Sequence, residues 1–203
     1  MNAKLWADKN KTIATEKDIE NIVTQVYESP HLIQYPYHNL AHTQSVVAHC
    51  KEIAAWYLLN ESDVFILTSA AWFHDIGHLY GEMKGHEERG VLIMEYYLQS
   101  SPPDLLTAIG KCIMATKFPS QPQSIYEQII CDADTWHFGT SLFRRTDVLV
   151  EQEMEMRTGK KDPHWHEASL RLLNQHVFFT DYCQHLLDAG KKENIAWLGS
   201  LIR

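Results

Sequence analysis

Apolar residues recur at helical spacing along almost the whole chain. Thr15 and Asp18 form a capping-box pattern that predicts where the first helix begins. The apolar stripe that follows consists of Ile19, Ile22, Val23 and Val26. Alternation of apolar and polar residues at period two, which is typical of strands, is nearly absent. The pattern therefore predicts an all-α fold.

The same spacing predicts the positions of the later helices. We expect Ser62 to cap the third helix, Gly77 to end it, and Gly190 to separate two short helices near the C-terminus. Further helices are predicted at residues 87–98, 103–115, 123–136, 141–156 and 165–179. Glu151, Glu153 and Glu155 alternate with neutral residues, which indicates a solvated helix face.

Length and composition favour one domain. The chain has 203 residues, of which 45% are hydrophobic, and it contains no repeat, low-complexity tract or linker-like segment. We expect residues 15–150 to form the core that carries the chemistry. Residues 151–203 are expected to be C-terminal helices packed on that core within the same domain.

The charge and the apolar content exclude two classes of partner. A formal net charge of -8 argues against binding to a nucleic-acid polymer. No apolar run approaches the roughly 20 residues that span a bilayer, and the N-terminus, with Trp6 and Asp8, lacks a signal-peptide core. The four cysteines are widely spaced, which is typical of reduced thiols, so we expect a cytoplasmic protein.

Two short runs concentrate ionisable side chains where the apolar pattern predicts burial. They span residues 37–42, with His38 and His42, and residues 74–78, with His74, Asp75 and His78. Buried ionisable groups are costly unless they are paired or bind a metal. Two histidines with nearby carboxylates form a mixed nitrogen and oxygen ligand set. Such a set suits a divalent ion of Mn, Fe, Co, Ni, Zn or Mg.

A further carboxylate is expected from a distant helix, where Asp132 and Asp134 follow the apolar pair Ile129 and Ile130. Helical periodicity does not separate the two aspartates. Both therefore stand as alternatives for the last ligand on the residues alone.

His42, His74, Asp75 and Asp134 match the H…HD…D signature of the HD-domain superfamily of metal-dependent phosphohydrolases. Residues 37–42 and 74–78 also resemble the metal motifs of cyclic-nucleotide phosphodiesterases. The resemblance implies a single-domain HD-type helical bundle with these four residues as metal ligands, and its Ala-Asp dipeptide favours Asp134 over Asp132. It also implies that Asp75 orients the attacking water and that His38 acts as general acid.

The resemblance also names two candidates for a second ion, His78 and His86. Members with two metals need another histidine on the following helix, and residues 111–117 contain none. We expect one tight site, with Asp75 able to bridge to a loosely held second ion.

The expected substrate is a small phosphorylated compound, with a nucleotide as the leading case. Candidate phosphate-binding residues are Lys84, Lys117, Arg144 and Arg145. Two alternatives stay open: di-iron oxygenase chemistry on the same scaffold, and a non-catalytic nucleotide-binding module. Oligomeric state is not predicted.

Overall fold

Nine α-helices and two short 3₁₀ helices follow one another through residues 14–202, the part of the chain that the computed structural model describes. The α-helices are α1 (Glu16–Tyr27), α2 (Leu40–Trp56), α3 (Glu61–Phe73), α4 (His86–Tyr97), α5 (Pro103–Ala115), α6 (Ile125–Asp134), α7 (Phe143–Thr158), α8 (Trp165–Gln175) and α9 (Asp181–Leu201). The 3₁₀ helices are Ile76–Tyr80 and Trp136–Gly139. This range contains no strand, which confirms the all-α prediction. The N-terminal prediction that rests on Trp6 and Asp8 lies outside the described residues.

Side-chain caps fix where several helices begin. The capping box of Thr15 and Asp18 is present at α1 as predicted. The prediction that Ser62 caps α3 is wrong, because Asn60 accepts the cap hydrogen bond and the helix begins at Glu61. Gly77 does not end α3 either, since that helix ends at Phe73 and the first 3₁₀ helix passes through Gly77.

The C-terminal prediction of two short helices is also wrong, because α9 continues through Gly190 without a break. Gly190 lies directly against Gly139 of the second 3₁₀ helix, and a Cβ at Gly190 would overlap the carbonyl oxygen of Gly139. The absence of a side chain at Gly190 allows this close approach, and the residue does not mark a helix end. α8 is shorter than expected and ends at Gln175.

Helix α3 lies at the centre of the hydrophobic core. Its residues Leu67, Ala70 and Phe73 are fully buried, and it packs against α1, α2, α5 and α6. The same core includes Leu173 from α8 and Leu198 from α9. Packing of this kind leaves the C-terminal end of α3 inside the molecule. All four cysteines are free and buried, as expected for reduced thiols.

Among the described residues, no helix combines the length and apolar character that crossing a membrane requires.

Candidate metal centre

Asn39 positions His42 at the start of α2. Its side-chain oxygen accepts hydrogen bonds from the backbone N–H groups of Ala41 (2.9 Å) and His42 (3.1 Å). Its amide nitrogen donates to the carbonyl of Pro36 at 2.8 Å, which ties the cap to the preceding loop. The cap therefore fixes the first turn of α2, and His42 points from that turn into the interior.

His74 and Asp75 follow directly on the buried end of α3. His74 is 0% exposed, and its Nδ1 donates to the carbonyl of Ala71 at 2.7 Å. A carbonyl only accepts hydrogen bonds, so this contact places the proton on Nδ1 and leaves the lone pair on Nε2. That nitrogen lies 3.2 Å from Oδ2 of Asp75.

The two aspartates of α6 have different surroundings. Asp134 lies with His42 and His74, its Oδ1 being 3.0 Å and 3.5 Å from their respective Nε2 atoms. Asp132 is fully buried on the other side of the helix and accepts hydrogen bonds from the backbone N–H groups of Phe179 and Thr180 and from the Thr180 hydroxyl. Asp132 therefore anchors the start of α9, and Asp134 faces the histidines.

The structure brings together the four residues of the predicted ligand set. One ligand atom from each of His42, His74, Asp75 and Asp134 lies within 4.8 Å of the others. Two of these atoms, Nε2 of His74 and Oδ2 of Asp75, are buried without a hydrogen-bond partner. Buried polar atoms in proteins are normally satisfied. A cation at the centre of the four would satisfy both of these atoms, so the donor set fits a divalent metal.

The pKa values of the clustered side chains also indicate that this site favours a positive charge. Burial alone would lower the pKa of His42, but the adjacent carboxylates of Asp134 and Asp75 raise it to about 9. Burial would raise the pKa of Asp134, but the adjacent imidazoles of His42 and His74 outweigh it and hold that pKa below its usual value. Two carboxylates in one buried place thus stabilise a cation, which protons on the imidazoles or a metal ion can supply.

Residues 39–139 match the model of a family described as the HD domain, and this range contains all four residues. The chain belongs to the HD-domain superfamily. No curated protein and no solved structure matches it. HD domains bind divalent metals, and their family consists in general of metal-dependent hydrolases.

The second oxygen of Asp75 faces two further histidines of the HD domain. Its Oδ1 lies 3.7 Å from Nε2 of His78 and 3.6 Å from Nε2 of His86, and the three residues form a second group that could hold an ion. Gly77 allows this approach, since a Cβ there would overlap the carbonyl oxygen of His86 at the start of α4. The rings of His78 and His86 stack with their centroids 3.8 Å apart.

His38 is held by a residue that the sequence reasoning assigned to a solvated face. Glu153 of α7 is 0% exposed, so that prediction is wrong. Its Oε1 accepts a hydrogen bond from Nδ1 of His38 at 2.6 Å, and its Oε2 accepts from the backbone N–H groups of Tyr37 and His38. Burial would raise the pKa of Glu153, but the bonds from His38 and from Arg157 lower it to about 2.

Arg157, one turn further along α7, completes this arrangement. Its Nε and Nη2 donate to Oε1 of Glu153 at 2.9 Å and 2.7 Å, and its guanidinium lies 3.7 Å from the centre of the Tyr35 ring. Nη2 also lies 3.1 Å from Nδ1 of His78. Sequence reasoning missed Arg157. The available signal was its spacing of four residues from Glu153, a pairing that exposed helices also show.

The cluster of His42, His74, Asp75 and Asp134 forms the HD centre. A cavity of about 390 Å³ opens beside it. His38, Asp75, His86 and Asp134 line it on the metal-binding side. Two of the predicted phosphate-binding residues, Lys84 and Lys117, line it as well, and Lys117 is paired with Glu88 at 2.6 Å. The remaining wall includes Phe118, Phe138, Val150 and Leu172.

A second cavity, of about 410 Å³, lies on the other side of Tyr37 and His137. The hydroxyl of Tyr37 is 3.3 Å from Nδ1 of His137, and these two side chains line both cavities. Arg145 lines the second cavity. Arg144 is not brought to either and lies over the Trp197 ring. The first cavity therefore joins His38 and both lysines to Asp75 and Asp134, whereas His42, Asp134 and Arg145 line the second.

Proposed function

We propose that this HD-domain protein hydrolyses a small phosphoester, a nucleotide in the leading case, in the cavity beside Asp75. The observation that carries the proposal is the meeting of two features in one place. The first is the buried cluster of His42, His74, Asp75 and Asp134, with two ligand atoms that have no hydrogen-bond partner. The second is His38, which lines the same cavity and is fixed by Glu153.

The cluster of His42, His74, Asp75 and Asp134 would hold the divalent ion. Such an ion supplies a positive charge that lowers the pKa of a nearby water and neutralises the phosphoryl group. Asp75 has one carboxylate oxygen directed at the cluster and the other at His78 and His86. We assign Asp75 the further role of orienting the attacking water, because it also lines the substrate cavity.

His38 is the proposed general acid for the leaving alkoxide. Its Nδ1 is occupied by Glu153, so Nε2 is the nitrogen that remains to carry and release a proton. Imidazole side chains titrate near neutral pH, which suits proton transfer of this kind. The bond to Glu153 fixes the orientation of the His38 ring.

The side chains that line the cavity favour an anionic substrate with an apolar part. Lys84 and Lys117 provide positive charge at its wall, and Phe118 and Phe138 provide aromatic surface on which a base or other ring can pack. A nucleotide combines these two features. The type of ester is decided by the fit of the whole substrate and not by the metal ligands.

A panel of phosphomonoesters, phosphodiesters and pyrophosphates, each tested with Mn²⁺, Co²⁺, Ni²⁺, Mg²⁺ and Zn²⁺, tests the proposal. Asp75→Ala serves as the blank, and activity that persists in it belongs to a contaminant. Bound nucleotide without turnover across the panel would instead support the non-catalytic module.

His38→Ala separates the acid from the ligands. We expect this variant to keep its metal and to lose turnover by about 10²–10⁴-fold, the range of general acid catalysis. His74→Ala should lose both metal and turnover. Equal loss of metal in the two variants, measured by elemental analysis, contradicts the assignment.

A further inference from the structure

The histidines around Asp75 differ in what their opposite ring nitrogen contacts. Nδ1 of His74 donates to the carbonyl of Ala71, and Nδ1 of His86 donates to the carbonyl of Met83 at 2.9 Å. Because a carbonyl only accepts, both rings carry their proton on Nδ1 and present a lone pair on Nε2. This is the form in which an imidazole binds a metal.

His78 has the opposite arrangement. Its Nδ1 lies 3.1 Å from Nη2 of Arg157, and a guanidinium has hydrogen-bond donors but no acceptor. Nδ1 of His78 must therefore accept, which places the ring proton on Nε2. The nitrogen that faces Asp75 thus carries a proton and has no lone pair for a metal.

Arg157 cannot readily turn away from His78. Two of its nitrogens are bound to Glu153, its guanidinium lies on the ring of Tyr35, and its side chain is 9% exposed. Glu153 in turn accepts from the backbone of Tyr37 and His38, so the whole arrangement is anchored at both ends.

Nε2 of His78 is buried without a hydrogen-bond partner, and a second ion would also explain this. The bond from Arg157 to Nδ1 decides between the two explanations. With its proton on Nε2, His78 directs a donor towards Oδ1 of Asp75 at 3.7 Å, an attractive contact between a donor and a carboxylate. The ring is held there by stacking between His38 and His86.

We propose that Arg157 excludes His78 from metal coordination and thereby makes the HD centre a one-ion site. Without His78, the second group keeps only Asp75 and His86 as ligands. The same guanidinium occupies Glu153, so the third group of metal-ligand residue types, His38, His78 and Glu153, holds no ion either. The inference rests on the proposed function for the ion at His42, His74, Asp75 and Asp134, and it goes beyond it by fixing the number of ions and the residue that sets that number.

The primary test counts Mn²⁺ per chain by elemental analysis after equilibration in excess Mn²⁺ and desalting, with the electron paramagnetic resonance spectrum as a second readout. We expect one ion in the wild-type protein, a spectrum without the coupling of two neighbouring Mn²⁺ ions, and still one ion in His78→Ala. Two ions in the wild-type protein overturn the proposal while leaving the hydrolase proposal intact. A wild-type chain that binds no ion overturns both.

Variants of Arg157 test the cause. Arg157→Met removes the donors and keeps an unbranched side chain over Tyr35, so Nδ1 of His78 becomes free to carry the proton. We expect its count to rise from one ion towards two, and the double variant with His78→Ala to return to one. Arg157→Lys, which can only donate, should stay at one. A folded Arg157→Met variant that still binds one ion overturns the role given to Arg157. The counts for wild type and His78→Ala test the number of ions independently of that role.

Discussion

Two regions of the chain contribute to the site in different ways: residues 39–139, which match the HD-domain family, and the segment that follows them. Residues 39–139 contain the four clustered residues and both aspartates of α6. Residues 140–202 contain none of the four, yet α7 supplies Glu153 and Arg157, which contact His38 and His78. The first region provides the ligand atoms. The second region provides the side chains that contact Nδ1 of His38 and Nδ1 of His78.

Hydrogen bonds also connect the two regions next to the candidate metal ligands. Asp132 of α6 accepts three hydrogen bonds from Phe179 and Thr180 at the start of α9. Asn194 of α9 donates to the carbonyl of Phe138, in the 3₁₀ helix that follows Asp134. The position of Asp134 therefore depends on the C-terminal helix, although no motif in that helix indicates this.

The largest effect is expected from the matched region, in His74→Ala compared with His86→Ala. Loss of His74 should weaken binding of Mn²⁺ by more than about a hundredfold. Even residues that only hydrogen-bond to metal ligands cost about 10–100-fold in metal affinity when they are mutated. His86→Ala should weaken the tight site by less than about tenfold, since His86 faces the other oxygen of Asp75. Calorimetric titration measures both. Equal losses would show that the two oxygens of Asp75 are not distinct.

Glu153→Gln tests the contribution of the C-terminal segment to catalysis. We expect kcat to fall by about 10–100-fold for esters with an alkoxide leaving group and to change little for a nitrophenyl ester, which needs no general acid. KM and metal affinity should be unchanged. Glu155→Gln, at an exposed position on the same helix, is the matched control. An equal fall for both types of ester would assign Glu153 a purely structural role.

Much of the matched region could be predicted from sequence, for reasons visible in the structure. His74 and Asp75 end an apolar helix, so their burial and their need for a partner could be inferred from neighbouring residues. Asp132 and Asp134 could not be separated by periodicity, since both follow the same apolar pair. What distinguishes them is the partner that each meets, Thr180 for one and His42 for the other.

The C-terminal segment was harder to predict because its signals have common alternative meanings. Glu153 is flanked at a spacing of two residues by other glutamates, a pattern that exposed helices share, and its burial depends on the distant loop at Tyr37. Gly190 is a helix breaker by composition. Its close contact with Gly139, fifty-one positions away, becomes visible only when the two elements are packed together.

The pH dependence of stability provides a third test. The pKa of Glu153 is about 2 in the folded protein, below its usual value of 4.5, so its carboxylate stabilises the fold above about pH 4.5 and that contribution is lost as the pH falls towards 2. The contribution is on the order of 3 kcal/mol. The difference in free energy of unfolding between wild type and Glu153→Gln should therefore shrink on acidification in this range. Urea unfolding at a series of pH values measures it, and a constant or growing difference contradicts the account.

The smallest effects are expected from two glycines of α9. Gly190→Ala should destabilise the protein by about 1–3 kcal/mol, because the added methyl group meets the backbone of Gly139. Gly199→Ala, with nothing within 4 Å of its Cβ position, should be neutral or stabilising by up to about 1 kcal/mol. Thermal unfolding compares them, and equal shifts would mean that the contact of α9 with the second 3₁₀ helix does not contribute to stability.

Anomalous diffraction from crystals soaked in Mn²⁺ would locate the bound ion itself. We expect one strong peak per chain, within coordination distance of Nε2 of His42, Nε2 of His74, Oδ2 of Asp75 and Oδ1 of Asp134. A peak shared by His78 and His86 at comparable height, or no peak between His42 and Asp75, would contradict this expectation.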